Sequence, residues 1–231
     1  MPPTPPPPFT GFTPATVAFL TELAANNRKE WFELQRERYQ RDVATPFRAL
    51  VSDLSGAMLS LDDQLITIPA VGKTISRLHR DTRFSRDKSP YRSNVWLVFR
   101  RPAADWKVAP CFYFEITPDS YHIGMGFYEA ERTTMARLRA VIAAHPAAFR
   151  RAIAGIEKWF KVEGDRYKRP PGPPLPDDLA SWGEWKSFYL TCSRPLDDRI
   201  YSAALADEVR AAFAAATPLY HFLWSLLLRQ G

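Results

Sequence analysis

The sequence CFYFEITPDSYHIGMGF, residues 111–127, predicts a β-hairpin. Cys111–Ile116 and Tyr121–Phe127 both alternate between two kinds of side chain, as strands with one buried face do. The residues between them, Thr117–Ser120, are rich in turn formers. We therefore expect two neighbouring strands of an antiparallel sheet.

A four-residue turn sets the register of this hairpin and so assigns each side chain to a face. In that register Ile116 lies opposite Tyr121, and Glu115 lies opposite His122. One face is apolar and is expected to point into the core; it carries Phe112, Phe114, Ile116, Tyr121, Ile123, Met125 and Phe127. The other face carries Cys111, Tyr113, Glu115, His122, Gly124 and Gly126.

Glu115 and His122 form the first candidate site, a catalytic acid/base pair on the second face of the hairpin. A carboxylate beside an imidazole raises the affinity of the imidazole for a proton and orients the ring. Gly124 and Gly126 favour a ligand-facing surface, because glycine within a strand often marks the close approach of another group. The alternative is an ordinary cross-strand polar pair on a solvated face.

Helices are predicted before and after the strands. Thr13-Pro14 marks the start of one helix, and apolar residues at helical spacing predict another that reaches Leu61. The last helix is expected from about Ser202 towards Leu228. Helices, then strands, then helices indicate α+β rather than alternating βαβ units. We predict a single α+β domain over residues 9–231, with a central antiparallel sheet packed by N-terminal and C-terminal helices.

Four more segments complete the predicted organisation. Residues 1–8, MPPTPPPP, are expected to be a disordered proline-rich tail. Residues 161–180, KVEGDRYKRPPGPPLPDDLA, are polar and proline-rich and are expected to form a long surface loop. Lys73–His79 is predicted to be a strand. Val95–Phe99 is continuously apolar, which is typical of a central strand covered on both faces.

Positive charge is concentrated in one short region of the chain. The net charge is +6, and residues 73–92 hold seven basic residues against two acidic ones, Asp81 and Asp87. The basic residues are Lys73, Arg77, Arg80, Arg83, Arg86, Lys88 and Arg92. This concentration suggests an anionic partner.

The second candidate site is Arg77–Asn94, RLHRDTRFSRDKSPYRSN, which we call the basic segment. The planar guanidinium of arginine suits phosphate or carboxylate groups, and a nearby aspartate can hold it in place. The segment leads from one predicted strand into the next, so the sheet is expected to hold it rigid. The alternative is a solvated loop laced with ion pairs. The candidate ligand-binding residues are Arg77, Arg80, Asp81, Arg83, Ser85, Asp87, Lys88, Tyr91 and Arg92.

Three motifs carry a resemblance to a known family. Arg77–Arg92 fits R-x-x-R-D-x-R-F-S-x-D-K-x-P-Y-[KR], and Phe19–Phe32 fits F-L-x-x-L-x-x-N-N-x-x-x-W-F. Gly124, Gly126 and Tyr128 fit a G-x-G-x-Y element. In these motifs the chain resembles a widespread family of conserved hypothetical proteins, bacterial with some fungal members, classed as a domain of unknown function. The resemblance implies no activity, but its many polar positions favour a functional role for the basic segment.

Three functions are compatible with these residues. The first is a pocket for a small phosphate- or carboxylate-bearing ligand, which Glu115 and His122 would act on if they face the same cavity. The second is a nucleic-acid-binding module, since basic residues with Phe84, Tyr91 and Trp96 are typical of a stacking groove. The third is a non-catalytic structural or interaction protein. Whether the protein is an enzyme, and its oligomeric state, stay open at this point.

The absence of several motifs argues against metal sites, cofactor sites and membrane partners. No cysteine spacing typical of a metal site and no phosphate-binding or dinucleotide-binding glycine motif occurs, so we predict no metal and no cofactor. Two cysteines, Cys111 and Cys192, and the absence of an apolar N-terminal run predict a cytoplasmic protein. The late apolar stretch Phe222–Leu228 is too short to cross a membrane, so no membrane partner is expected.

Overall fold

A computed structural model describes residues 7–102 and 106–228, apart from the side chain of Trp106. The predicted tail over residues 1–8 therefore lies outside the described residues except for its last two prolines. Within the described ranges, five strands form one antiparallel sheet in the order β1-β2-β3-β5-β4. They are β1 (Val95–Phe99), β2 (Cys111–Ile116), β3 (Ser120–Gly126), β4 (Lys161–Arg166) and β5 (Trp185–Pro195).

Helices precede β1, separate β3 from β4, and follow β5, so the predicted α+β class with an antiparallel sheet is confirmed. A π-helical stretch, Gln40–Ala44, leads into the fourth helix. Pro46 lies in the first turn of that helix, where its missing N–H leaves no helical hydrogen bond unmade. The helices are α1 (Pro14–Ala25), α2 (Lys29–Leu34), α3 (Arg36–Tyr39), α4 (Thr45–Leu61), α5 (Arg132–Ala144), α6 (Pro146–Ile153), α7 (Ala180–Gly183) and α8 (Ala204–Leu228).

The predicted hairpin is present, with its turn where the sequence places it. The Thr117 N–H donates to the Ser120 carbonyl over 2.9 Å, which gives the register expected for the four-residue turn. All seven residues of the predicted apolar face are at most 2 % exposed. On the opposite face, Tyr113, Glu115 and His122 are half-buried. Cys111, Gly124 and Gly126 of that face are buried, so the alternation separates a fully buried face from one that is partly buried.

The first compact unit comprises residues 7–99, Tyr113–His122 and Ser193–Arg210. Its core lies between the N-terminal helices and β2. The Phe12 ring stacks on Phe114 with centroids 5.9 Å apart, and Phe47 of α4 lies 6.1 Å from the same ring.

The second compact unit comprises residues 100–102 and 106–112, Ile123–Cys192 and 211–228. Phe112 of β2 packs against two rings of α8, Phe213 at 5.2 Å and Tyr220 at 4.6 Å. The C-terminal helix therefore covers the apolar face of the strand here, as the N-terminal helices do in the first unit.

The chain beside β1 differs from the prediction. Lys73–His79 is not a regular strand; it makes isolated bridges, one of them between Ile75 and Leu97. The ladder is interrupted because the Ser76 hydroxyl, rather than a carbonyl, accepts the Trp96 N–H over 3.1 Å. β1 also lies at one end of the strand order, not at its centre. It is nevertheless buried, since this irregular segment covers its outer edge.

The predicted surface loop over 161–180 begins with a strand, so that prediction is wrong at its N-terminal end. β4 pairs antiparallel with β5, and a bulge lies between Asp165 and Arg166. β4 is the last strand in the order and is mostly exposed, and an edge strand of this kind is rich in charged residues. Its composition therefore resembles that of a loop. Residues 167–176 lie outside helices and strands.

Helix α8 is, by length and composition, apolar enough to cross a membrane, which the short stretch Phe222–Leu228 did not indicate. The core helix of a soluble protein meets the same criterion. Val209, Phe213 and Leu223 of α8 are fully buried within the fold. By itself, one helix of this kind is weak evidence for a membrane span.

Candidate functional site

The basic segment is an irregular hairpin with two hydrogen-bonded arms. The Arg80 N–H donates to the Pro90 carbonyl over 2.9 Å, and the Arg92 N–H donates to the Leu78 carbonyl over 2.9 Å. These bonds leave residues 81–89 as the tip of the hairpin. The arms hold the tip by backbone contacts, although they do not form regular strands.

Tyr91 anchors the second arm to the N-terminal helices. Its N–H donates to Asn27 Oδ1 over 2.9 Å, and its carbonyl accepts from Asn27 Nδ2 over 2.8 Å. The Tyr91 ring stacks on Phe32 with centroids 4.4 Å apart and lies 4.7 Å from the His79 ring. Burial raises the pKa of the Tyr91 phenol. Tyr91 is only 1 % exposed, so this predicted ligand-binding residue is placed as an anchor of the segment.

Both aspartates of the tip bond to arginines, as the sequence predicted. Arg83 forms a two-pronged pair with Asp81, with Nη2–Oδ2 at 2.6 Å and Nε–Oδ1 at 2.9 Å. These bonds lower the pKa of Asp81 to about 2. Asp87 accepts the Ser89 N–H over 2.9 Å and forms an ion pair with Arg80. Hydrogen bonds from Ser89, together with Arg80, hold the pKa of Asp87 well below its usual range.

Phe84 and Ser85 lie between these two pairs. Phe84 is 94 % exposed, and its ring centroid is 5.7 Å from the guanidinium carbon of Arg83. The Ser85 hydroxyl accepts a long hydrogen bond of 3.4 Å from Arg80 Nη2. The tip therefore presents an aromatic ring to solvent while its neighbours hold the loop together.

Four cations of the basic segment have no carboxylate partner among the described residues: Arg77, Arg86, Lys88 and Arg92. The first three are exposed and Arg92 is half-buried. Lys88 Nζ donates to the carbonyl of Thr82 over 2.9 Å, a contact that leaves its charge unneutralised. The segment thus keeps an excess of positive charge after its internal ion pairs have formed.

Arg92 connects the two arms through its side chain. Its Nη1 donates to the carbonyls of Arg77 and His79 over 3.3 and 3.2 Å. Its guanidinium carbon lies 4.9 Å from the ring centroid of Trp96. The planar group is therefore oriented by the backbone and by an aromatic ring.

The structure joins Glu115 to the basic segment rather than to His122. The Glu115 carboxylate accepts a hydrogen bond from Nδ2 of Asn94, the last residue of the segment. His122 has hydroxyls at both ring nitrogens, with Nδ1 2.9 Å from Ser193 Oγ and Nε2 3.2 Å from Ser120 Oγ. The two predicted catalytic residues thus share no hydrogen bond in the part of the chain that the structure describes.

Gly126 has a packing role that the sequence did not predict. A Cβ on Gly126 would lie 2.5 Å from the Cα of Tyr189 on the neighbouring strand β5. The close approach that a glycine in a strand indicates is here the approach of another strand.

Two features of the site were missed by sequence reasoning. Asn27 stands in the N-N pair of the early motif, but its partner Tyr91 is distant in sequence, so no local pattern marks it as part of the site. An open cleft of about 630 Å³ in the second unit was also missed, since the strand that lines it looks like a loop in sequence. The cleft is lined by Tyr128, Val162, Glu163, Gly164, Asp165, Trp185, Ser187 and Tyr189.

One comparison with known proteins gives a match over most of the chain. A family model described as conserved hypothetical protein (DUF2461) matches residues 15–222. This range includes the basic segment, Glu115, His122 and the residues of the cleft. No curated protein matches the chain.

Proposed function

The chain belongs to this family of conserved hypothetical proteins, a domain of unknown function, and we propose that its basic segment binds a small ligand that carries a phosphate or carboxylate group. The observation that supports the proposal is the unbalanced charge of the segment. Asp81 and Asp87 are each bonded to an arginine, whereas Arg77, Arg86, Lys88 and Arg92 have no carboxylate partner among the described residues. Anions are the ligands that such cations attract.

The anchoring of the segment adds to this proposal. Asn27 and the buried ring of Tyr91 hold one arm, and Arg92 bonds to the carbonyls of the other. A ligand then meets cations whose backbone is already ordered, so binding costs less conformational entropy.

Proton transfer to or from the ligand is the further part of the proposal, with Glu115 and His122 as acid and base. Asn94 connects Glu115 to the basic segment. A serine hydroxyl can donate or accept, so Ser193 and Ser120 allow His122 to carry its proton on either nitrogen.

The test is thermal unfolding of the full chain with inorganic phosphate, phosphate esters and small carboxylates at constant ionic strength. A ligand at about one hundred times its Kd stabilises the protein by about 2.7 kcal/mol. Arg86→Gln and Lys88→Gln alter exposed side chains and are expected to reduce the shift in the midpoint. Arg151→Gln is the matched control, because Arg151 is also exposed but lies on α6 in the second unit.

Two outcomes would reject this function. One is that none of these anions raises the midpoint. The other is that Arg151→Gln reduces the shift as much as Arg86→Gln. If Arg80→Ala unfolds the protein while no anion stabilises it, the basic segment is the ion-pair network of a structural or interaction protein.

A second candidate function, nucleic-acid binding, is favoured by the exposure of Phe84. An aromatic ring beside arginine can stack on an unpaired base, and Phe84 is 94 % exposed next to Arg83. Anisotropy of a labelled single-stranded oligonucleotide at low and high salt measures this binding. Phe84→Ala should weaken it, whereas Leu34→Ala, which removes another exposed apolar side chain (83 %), should not. Absence of binding at low salt would reject this candidate.

We also expect the protein to act in the cytoplasm. Cys111 and Cys192 are both buried, and neither is in a disulfide among the described residues, which suits a reducing compartment. Burial raises the pKa of the Cys111 thiol to about 12, so it stays protonated and unreactive at neutral pH. Fractionation of cells that produce the protein would test this location.

A further inference from the structure

The cleft of the second unit is built on the outward face of two paired strands. Glu163 of β4 lies opposite Tyr189 of β5, and Asp165 lies opposite Ser187. Side chains two residues apart on a strand share a face, so both carboxylates point to the same side of the pair. Tyr128 completes the lining; it is 69 % exposed, and the Lys107 ammonium lies 5.9 Å from its ring centroid.

Negative charge in this cleft is not balanced by a cation of its lining. The lining residues include two carboxylates and no lysine, arginine or histidine. Glu163 accepts a hydrogen bond of 3.2 Å from the Tyr189 hydroxyl. Asp165 has no hydrogen-bond or ion-pair partner within the described ranges. This is the reverse of the chain as a whole, which carries a net charge of +6.

The nearest cation along the chain, Arg166, is held elsewhere. The bulge after Asp165 places Arg166 opposite Trp185. Its guanidinium carbon lies 4.0 Å from the Trp185 ring centroid, and its Nη1 is 3.0 Å from the Glu184 carboxylate. Bulges redirect side chains in this way beside functional sites. Arg166 is therefore engaged by Glu184 and Trp185 and does not neutralise Asp165.

The floor of the cleft is rigid because the strands pack closely there. A Cβ on Gly164 would lie 2.1 Å from the Ser187 carbonyl oxygen, so only glycine fits. The Ser187 hydroxyl accepts the Ala130 N–H over 3.0 Å and is held in place. The position of the carboxylates on β4 is thereby set by backbone contacts.

From these contacts we propose that the cleft binds a small organic cation with an ammonium group. The carboxylates of Glu163 and Asp165 neutralise the positive charge, and the Tyr189 ring contacts the carbon atoms attached to nitrogen. Aromatic faces attract ammonium groups in addition to packing against them. The volume of about 630 Å³ is in the range of small-molecule sites. This inference concerns a different site from the basic segment and does not depend on its function.

The experiment titrates the full chain with two ammonium compounds, choline and ethanolamine. The neutral isostere of choline, in which carbon replaces nitrogen, serves as the ligand control. Binding is followed by the chemical shifts of backbone amides in β4 and β5. At least one ammonium compound is expected to bind, and the isostere at least about tenfold more weakly, because it lacks the positive charge that the carboxylates and the aromatic ring attract.

Two variants and a control assign the binding to the cleft. Asp165→Asn and Glu163→Gln each replace an exposed carboxylate by an amide of the same shape. Each is expected to lower the affinity for the ammonium compound about fivefold to tenfold. Glu157→Gln removes an exposed carboxylate outside the cleft and should leave the affinity unchanged. In both cleft variants phosphate should raise the unfolding midpoint as it does in the unaltered chain. Failure of the ammonium proposal is therefore distinguishable from failure of the anion-binding proposal for the basic segment. The proposal is overturned if neither ammonium compound binds or if the isostere binds with the same affinity as choline. It is also overturned if both variants bind the ammonium compound as tightly as the unaltered chain does.

Discussion

The basic segment and the acidic cleft are two charged surfaces of opposite sign, and they are ordered in different ways. The tip of the basic segment is a loop, and it uses its own aspartates, Asp81 and Asp87, to hold two of its arginines. The cleft is formed by paired strands, and Asp165 has no cation as partner among the described residues. A loop needs side-chain bonds to keep a shape, whereas strands obtain theirs from backbone hydrogen bonds. On β4 this leaves Asp165 available for a ligand, whereas Glu163 and Arg166 of the same strand have side-chain partners.

The largest expected effect concerns the anchor of the basic segment. Tyr91→Ala removes a fully buried ring that stacks on Phe32 and should lower the free energy of unfolding by about 3–5 kcal/mol. Urea denaturation measures it. Phe84→Ala, in the exposed tip, should change stability by no more than about 0.5 kcal/mol. Equal losses in the two variants would show that the tip is packed and not exposed.

The next effect concerns the floor of the cleft. Gly164→Ala should destabilise the protein by about 3 kcal/mol, because the new Cβ meets the Ser187 carbonyl and the φ of +141° is unfavourable for alanine. Gly56→Ala is the matched substitution, since Gly56 lies within α4 and nothing is within 4 Å of the added Cβ. It should stabilise the protein by about 0.5–1 kcal/mol. Thermal midpoints of the two variants that move in the same direction would contradict this account of β4.

A smaller loss is expected from the amide that joins the basic segment to the N-terminal helices. Asn27→Ala removes two hydrogen bonds to the Tyr91 backbone and should cost about 2 kcal/mol in urea denaturation. Asn27→Asp keeps the acceptor for the Tyr91 N–H but places a carboxylate oxygen against the Tyr91 carbonyl, so it should lose at least as much. The same variants should also weaken any anion bound at the tip, whereas binding in the cleft should not change. Loss of ammonium binding in Asn27→Ala would show that the two sites are not independent.

The smallest effect on stability is expected from the titration of the Asp81 carboxyl in the tip. The pKa of Asp81 is lowered from its ordinary 3.8 to about 2 by the hydrogen bonds from Arg83. The stabilisation from this pair is complete above the ordinary value and disappears as the pH falls to about 2. The pair is exposed, so the readout is the carboxyl carbon shift of Asp81 by NMR rather than a change in stability. Arg83→Gln should raise the midpoint of the Asp81 titration towards 3.8. An unchanged titration midpoint would show that Arg83 and Asp81 do not form this pair.

The hairpin shows how far local patterns predict structure. Its turn, its register and the seven buried residues of its apolar face follow from alternation and turn chemistry alone. Lys73–His79 was mistaken for a strand because Ser76 replaces a backbone acceptor, which composition does not reveal. β4 resembles a loop in sequence because an exposed edge strand can be as polar as a loop.

Local sequence is enough to predict where charge and apolar surface are concentrated. The apolar face of the hairpin, the helix starts and the excess of cations in the basic segment depend only on residues that are near one another in the chain. Which of those charges have a partner depends instead on long-range contacts. Asn27 meets Tyr91 across 64 positions, Glu115 meets Asn94 instead of His122, and β4 turns Asp165 towards a cleft. Such contacts join distant parts of the chain, so they follow from packing and not from local pattern.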